Sequence, residues 1–347
     1  MVSISSGAVQ SYLVTIESIF SRYVPQPYLG PLSLIIAMVV FAIALILTAS
    51  IFGYLIGWIE RKYIARMQSR HGPTYVGKYG VLQNLADLIK LISKENIVPH
   101  DADRSLFLIS IPMMAAAFVM TMFFIPLTSS FVGIDTSIAL IVVFMIISFI
   151  PLAIFTAGWS SANKFASIGA ERSVAMLISY EIPLLLVIVA VAMAANSFSF
   201  YGIISAQQSH WFALLMPIGL VIFFVVMLAE LERPPFDLRE ADSELIAGWL
   251  TDVSAPYYAL VLFLDYARVF VGSLLITVLF FGGFLGPSLI PPFAWTMIKV
   301  TLIALFIIVI RATTVRMRID RVLRLGWLYM VPLAVVNLLL TFILFIH

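Results

Sequence analysis

Between Glu230 and Asp252 the sequence gathers carboxylates: Glu230, Glu232, Asp237, Glu240, Asp242 and Glu244, then Asp252. Only Arg233 and Arg239 accompany them, so sequence neighbours cannot neutralise most of the charge. Crowded carboxylates raise one another's pKa and are then able to hold and pass protons near neutral pH. Pro234 and Pro235 lack a backbone N–H and stop any helix that precedes them. Beyond them, Asp237, Glu240 and Glu244 are spaced by three and four residues. A helix there would put all three on one face, where like charges repel. Such a stripe is either a solvated loop or a surface that handles protons.

Other charges interrupt apolar runs. Glu181 falls about nine residues into such a run, roughly 14 Å along a helix axis. A carboxyl at that depth costs about 2.5–3.5 kcal/mol to insert, which makes it a functional candidate. Pro183 follows it and predicts a kink. The plainer reading of Glu181 is a protonated side chain bonded to a neighbouring helix. Asp265 has Arg268 three residues on, so a local ion pair competes with a proton-carrying role. Lys299, also inside an apolar run, has either Glu181 or Asp265 as a candidate partner. The basic run Arg311, Arg316, Arg318, Arg321 and Arg324, with Asp320, reads on its own as a membrane-topology signal or a lipid-headgroup contact. Glu60, Arg61 and Lys62 read the same way.

The elements that must position these groups follow from composition. Of 347 residues, 62% are hydrophobic and 11% charged, whereas soluble domains are about a quarter charged. The fold class is all-α: a polytopic membrane protein with about eight transmembrane helices and short amphipathic helices on its cytoplasmic side. Spans are expected at about 31–59, 105–128, 136–157, 172–195, 212–230, 257–281, 291–311 and 327–346, in one integral membrane domain covering 1–347. Tyr12, Leu13, Ile16, Ile19 and Phe20 predict a short interfacial helix near the start. Residues 81–93, apolar at Leu82, Leu85, Leu88, Ile89 and Ile92, predict a helix too short and polar to span. The loops 60–104, 158–172, 230–256 and 311–326 carry nearly all the Lys and Arg, while the opposite side has only Arg22. The positive-inside rule puts the charged loops in the cytoplasm. The net charge of +2 carries no information beyond that asymmetry.

Several chemistries are excluded. There is no cysteine, hence no disulfide, thiolate nucleophile or cysteine-ligated cluster on this chain. Four scattered histidines give no metal-ligand spacing, so no metal site is expected. Neither a glycine-rich nucleotide loop nor a nucleophile elbow is present. What remains is buried carboxylates leading to an acidic cytoplasmic segment, which suggests proton movement coupled to a partner.

At these residues the chain resembles the NuoH family, the quinone-chamber membrane subunit of respiratory complex I. Four blocks carry the resemblance. The first is Glu60-Arg61-Lys62, Arg66-Met67-Gln68-Ser69-Arg70-His71-Gly72-Pro73, Val76-Gly77 and Gly80 through Lys90. The second is Asn163-Lys164-Phe165-Ala166, Gly169-Ala170 and Ile178-Ser179-Tyr180-Glu181-Ile182-Pro183. The third is Ala229 through Arg233, Pro235-Phe236-Asp237-Leu238, Glu240, Ser243-Glu244-Leu245 and Gly248. The fourth is Lys299, Arg311-Ala312, Arg316, Arg318, Asp320, Leu325-Gly326-Trp327 and Pro332-Leu333. Departures are Glu232 where Asn is usual, Asp242, Asp252 and Asp265 where Glu is commoner, Glu171, Met176, Val315, Arg321 and the Pro234-Pro235 pair. They imply a divergent branch.

The resemblance implies a subunit of a proton-translocating NAD(P)H- or other donor:quinone oxidoreductase in the plasma membrane. It implies a proton path through Glu181, Glu230, Asp237, Glu240, Asp242, Glu244, Asp252, Asp265 and Lys299. It implies a quinone chamber at Arg61, Arg70, Asp87, Lys90, Arg233, Phe236 and Arg311. Glu60, Arg316, Arg318 and Asp320 would dock a partner. Quinone is then a substrate, with no covalently bound cofactor here and iron–sulfur clusters and flavin on partner subunits. The partners would be hydrophilic-arm subunits, antiporter-like membrane subunits and the lipid bilayer, and no nucleic acid. Rival readings are the equivalent subunit of a membrane-bound hydrogenase or methanophenazine-reducing dehydrogenase, and a stand-alone ion-coupled transporter. Transporters usually show inverted repeats, and none is visible here.

Overall fold

The computed structural model describes residues 26–129, 131–240, 242–287 and 289–346. The helix expected over residues 12–20 and Arg22 lie outside the described residues, as does the side chain of Asp242. Every regular element among the described residues is helical. In order these are α1 Gln26–Met67, α2 Gln83–Ile92, α3 Arg104–Phe124, α4 Ala139–Ile147, α5 Phe149–Ser160, α6 Lys164–Ala195, α7 Phe200–Ala206, α8 Phe212–Leu215, α9 Pro217–Glu230, α10 Asp242–Leu245, α11 Ala255–Phe280, α12 Pro292–Thr313, α13 Ile319–Arg324 and α14 Val331–Ile346.

Seven helical stretches among the described residues are long and apolar enough to cross a membrane, counting α4 with α5 and α13 with α14. The eighth expected span, 212–230, is divided. Pro217 lacks an N–H and restricts Met216, which leaves the helical region (φ −130°, ψ 61°) and separates α8 from α9. The remaining α9 has 14 residues, about 21 Å against a hydrocarbon core of about 30 Å.

Other boundaries also have local causes. α1 continues beyond the expected end at 59 because nothing from Glu60 to Met67 breaks a helix; Gly72-Pro73 comes later. α6 starts before the expected 172 because Asn163 caps it, its Oδ1 accepting from Phe165 N at 3.0 Å. The break at Ser148 between α4 and α5 follows from Pro151, which has no N–H for the carbonyl of Ile147. Pro183 likewise frees the carbonyl of Ser179 in α6, and Gly326 passes so close that a Cβ there would lie 2.8 Å from that oxygen.

α11 is the central helix: every residue from Ala267 to Phe280 is buried. It packs on α1, α3 and α12. α1 shows the inside and outside of the bundle as two stripes. Ala37, Phe41, Leu45, Ala49 and Ile56 are buried, whereas Ile35, Val39, Ile43, Leu47, Ile51 and Leu55 are exposed at a spacing of four. In a membrane the exposed stripe meets lipid, which is as apolar as the core.

Candidate functional site

The segment after α9 is an irregular loop, not the helix its spacing allows. Glu232 adopts φ 52°, and Arg233 N donates to Leu228 O at 3.1 Å, turning the chain away from the α9 axis. The loop then lies on α6 because two glycines permit it. A Cβ on Gly248 (φ 53°) would sit 1.7 Å from the Arg239 carbonyl, and one on Gly169 would sit 2.9 Å from the same oxygen. Asp237, Glu240 and Glu244 therefore share no helical face. Each meets an arginine instead: Asp237 pairs with Arg316 at 3.1 Å, Glu240 with Arg239 at 3.2 Å and Glu244 with Arg172 at 2.7 Å. Two of these three neutralising charges come from far away in sequence.

The centre of the site is a buried ionic network. Glu232 pairs with Arg239 and, at 3.2 Å, with Arg268, while Ser173 Oγ donates to its other oxygen at 2.6 Å. Asp265 pairs with Arg239 at 2.9 Å, closer than its 4.0 Å approach to Arg268, so the local ion pair is the weaker of its two. Arg233 donates to the Asp265 carbonyl at 3.3 Å and stands 3.6 Å from Glu60, which also pairs with Arg311. Glu60 is thus 4% exposed inside the network rather than on an open docking face. Removing one member of such a network would strand a buried charge, at a cost of about 3–5 kcal/mol. Burial pushes the Glu240 carboxyl up to about 7; Arg239 opposes this, and Asp265, Asp237 and Glu232 add to it.

Next to the network lies a cavity of about 250 Å³ between α1, α2 and α11, lined by Tyr54, Arg61, Asn84, Asp87, Phe263 and Tyr266 among others. Arg61 and Asp87 pair across it at 2.6 Å, and Asn84 Nδ2 donates to Tyr54 O at 3.1 Å. The Arg233 guanidinium stands 5.2 Å from the centre of the Tyr266 ring. Tyr266 therefore joins the cavity to the ionic network.

Glu181 and Glu230 lie deeper. Ser148 Oγ, at the α4–α5 break, donates to Glu181 Oε1 at 2.9 Å. Glu230 is 9% exposed and its Oε1 has no hydrogen-bond partner. Small cavities of about 20 and 10 Å³ flank it, one beside Thr121 and Arg268, the other beside Ser173, Tyr180 and Glu232. These are sizes at which a single water fits.

Other expected site residues stand apart. Lys299 pairs with neither Glu181 nor Asp265. Its Nζ donates to the carbonyls of Phe281, Gly283 and Leu285 at 2.6, 2.9 and 2.8 Å, beyond the far end of α11, between the rings of Trp211 and Trp295. Phe236 is 2% exposed, edge-on to Tyr180 at 5.3 Å, and does not line the cavity. Arg70 is exposed and bonds Gln68 at 2.7 Å. Lys90 is exposed, 3.9 Å from Asp87. Asp252 lines an open groove with Lys94 and Glu95. Arg318 and Asp320 are exposed. Sequence reasoning missed the contacts of Glu232, Arg239, Ser148, Ser173 and Tyr266, and the pairing of Arg268 with Glu232. The available signal was Arg268 itself, a cation inside an apolar run that needs more than one distant carboxylate.

Comparison with known proteins gives the family. The family model for NADH dehydrogenase matches residues 36–342. The chain is 42% identical over 285 residues to the NuoH chain of the NADH-quinone oxidoreductase of Dehalococcoides mccartyi strain CBDB1, covering 82% of this chain and 80% of that one. It is 38% identical over 321 residues to the second NuoH chain of Syntrophobacter fumaroxidans, covering 90% and 96%. It is 37% identical over 309 residues to the NuoH chain of Bacillus mycoides, covering 87% and 92%. With these matches, the chain belongs to the NADH dehydrogenase family, alongside the NuoH chains of NADH-quinone oxidoreductases, and is a multi-pass membrane component of an oxidoreductase complex.

Proposed function

We propose that this protein forms the quinone chamber of its complex and couples quinone reduction to proton translocation. The observation that carries this is the junction at Tyr266. On one side is a largely apolar cavity with the Arg61–Asp87 pair in its wall. On the other is the buried network of Arg233, Arg239, Arg268, Glu60, Glu232 and Asp265. An apolar cavity suits a hydrophobic quinone, and its polar wall suits the head group that gains charge on reduction. A charge change there acts strongly on carboxyls held in a low dielectric. Glu240, whose pKa lies near neutrality, takes or releases a proton in response. Glu230 and Glu181 extend the path into the membrane, and single waters in the flanking cavities bridge the gaps.

Redox centres sit on other subunits, the hydrophilic arm docks on the charged face, and antiporter-like subunits continue the proton path. The charged loops face the cytoplasm from the plasma membrane. The short α9 completes an eighth crossing, which brings the charged loops to one side. In support, Arg233 and Arg311 both reach Glu60, and Arg316 reaches Asp237.

The test is the intact assembly in sealed vesicles, with quinone reduction and proton uptake read together. Tyr266→Leu is expected to lower proton uptake per quinone reduced, because it uncouples cavity from network. Reduction without proton uptake in the unmodified assembly overturns the reading.

A further inference from the structure

Glu232 is 5% exposed and engages two buried arginines at once: Arg239, and Arg268 at 3.2 Å. Asp265 shares the same pair, at 2.9 Å from Arg239 and 4.0 Å from Arg268. The two arginines are 3% and 4% exposed. Two guanidiniums and two carboxylates thus form a knot that is neutral only while both carboxylates are ionised. Removing the Glu232 counter-charge would leave excess positive charge in a low dielectric, which is strongly unfavourable.

Two further carboxyls stand at the edges of this knot. Glu240 touches it through Arg239 at 3.2 Å, and its Oε1 has no hydrogen bond. The charges around Glu240 are Arg233, Asp237, Arg239 and Glu232 from its own loop and Asp265 from α11. Glu230, on α9, faces Arg268 of α11, Glu232 of the loop and Glu181 of α6. Ser173 of α6 adds a neutral donor to Glu232.

We infer that Glu232 is a positioning residue: a counter-charge that fixes Arg239 and Arg268 and so sets how firmly Glu240 holds its proton. This rests on the proposed function, and it separates the acidic segment into carboxyls proposed to move protons and one that positions the arginines around them.

The experiment uses the full assembly in vesicles and reads quinone-linked proton uptake against pH. Glu232→Gln keeps the side-chain shape and leaves the knot one unit positive. Its alkaline fall-off is expected to move down by at least about one pH unit, the effect of a unit charge roughly 12 Å away at an effective dielectric near 20. Arg268→Gln leaves the knot one unit negative and moves the fall-off up. Glu232→Gln with Arg268→Gln restores neutrality and returns the profile to its starting place. Single variants that assemble with unmoved profiles, or that shift in the same direction, overturn the inference. So does loss of assembly in all three variants, which makes Glu232 purely structural. Absence of proton uptake in the unmodified assembly refutes the proposed function instead, so the two failures are distinguishable.

Discussion

Arg61 and Asp87 meet at 2.6 Å and tie the charged end of α1 to the short helix α2 across the mouth of the cavity. Gln83 adds a bond to the other Asp87 oxygen at 3.0 Å. Burial pushes the Asp87 carboxyl up, but the hydrogen bonds of Arg61 and Gln83 and the charges of Arg61 and Lys90 outweigh it and hold it below its ordinary value. A carboxyl whose pKa is lower in the folded state adds stability above its unfolded value, and that stability is lost as pH falls through the lowered value. Asp87→Asn should therefore loosen α2 at neutral pH and have a shrinking effect as the medium is acidified. The half-open pair is worth about 0–1 kcal/mol, so amide exchange across residues 83–92 should quicken by no more than about fivefold. Unchanged exchange at neutral pH would show that α2 is held by its apolar face alone.

What the sequence made legible and what it hid differ by range. α2 was visible because Leu85, Leu88, Ile89 and Ile92 recur at helical spacing. The long spans were visible as apolar runs. The acidic stripe misled, because spacing by three and four is also found in a loop, and this loop is set by Glu232 at φ 52° and Gly248 at φ 53°. The ionic network was hidden because its pairs join Arg268 to Glu232 and Arg311 to Glu60, residues that no local pattern connects. Glu232 stood out in the sequence only as one carboxylate of the acidic segment and a departure from Asn, yet it holds the middle of the network. Pro217 and Pro151 were in plain sight and could have predicted the divided helices.

Lys299 has the geometry of an anchor. It is 7% exposed, and three carbonyls past the end of α11 take its three protons. Lys299→Met keeps the stem and strands those carbonyls, which should cost about 3 kcal/mol. Thermal unfolding in detergent should show the loss, while proton uptake per quinone reduced stays unchanged in complexes that survive. A selective loss of proton uptake with full stability would return Lys299 to the proton path.

Arg316 and Arg318 are close in sequence but differently placed. Arg316 is engaged by Asp237 at 3.1 Å, whereas Arg318 is exposed, as is Val315 close by in sequence. Arg318→Glu should release the hydrophilic arm at lower salt than the unmodified chain, since exposed pairs are screened over about 8–10 Å at ordinary ionic strength. Arg316→Glu should also disturb the acidic loop, and so lower quinone reduction even where the arm stays bound. Co-purification of the arm across a salt series, beside quinone reduction, reads both effects. Equal behaviour of the two variants would mean that the Asp237 contact has no consequence.

Glu181 lies within the apolar helix α6, and among the described residues Ser148 donates to it at 2.9 Å. That partner sits where Pro151 breaks the helix between α4 and α5, so the serine is aimed at α6 by a local defect rather than by chance on a smooth surface. Ser148 Oγ also lies 3.0 Å from the Phe144 carbonyl. Its single proton serves one acceptor at a time. With the proton on Phe144 O, the hydroxyl can accept from a protonated Glu181; with it on Glu181, it stabilises the carboxylate. The serine can therefore follow the charge state of Glu181 without any movement of the helices. Glu181→Gln keeps an oxygen acceptor and the side-chain volume but cannot ionise. Proton uptake per quinone reduced should drop by roughly tenfold or more if a proton relay is lost, while artificial-acceptor activity of the arm stays intact. Ser148→Ala should produce a milder loss, because the Glu181 carboxyl remains but loses its switchable partner. If Glu181→Gln assembles and pumps at the unmodified ratio, the Glu181–Ser148 bond is only a clasp between α4–α5 and α6, and the protons leave the network by another route.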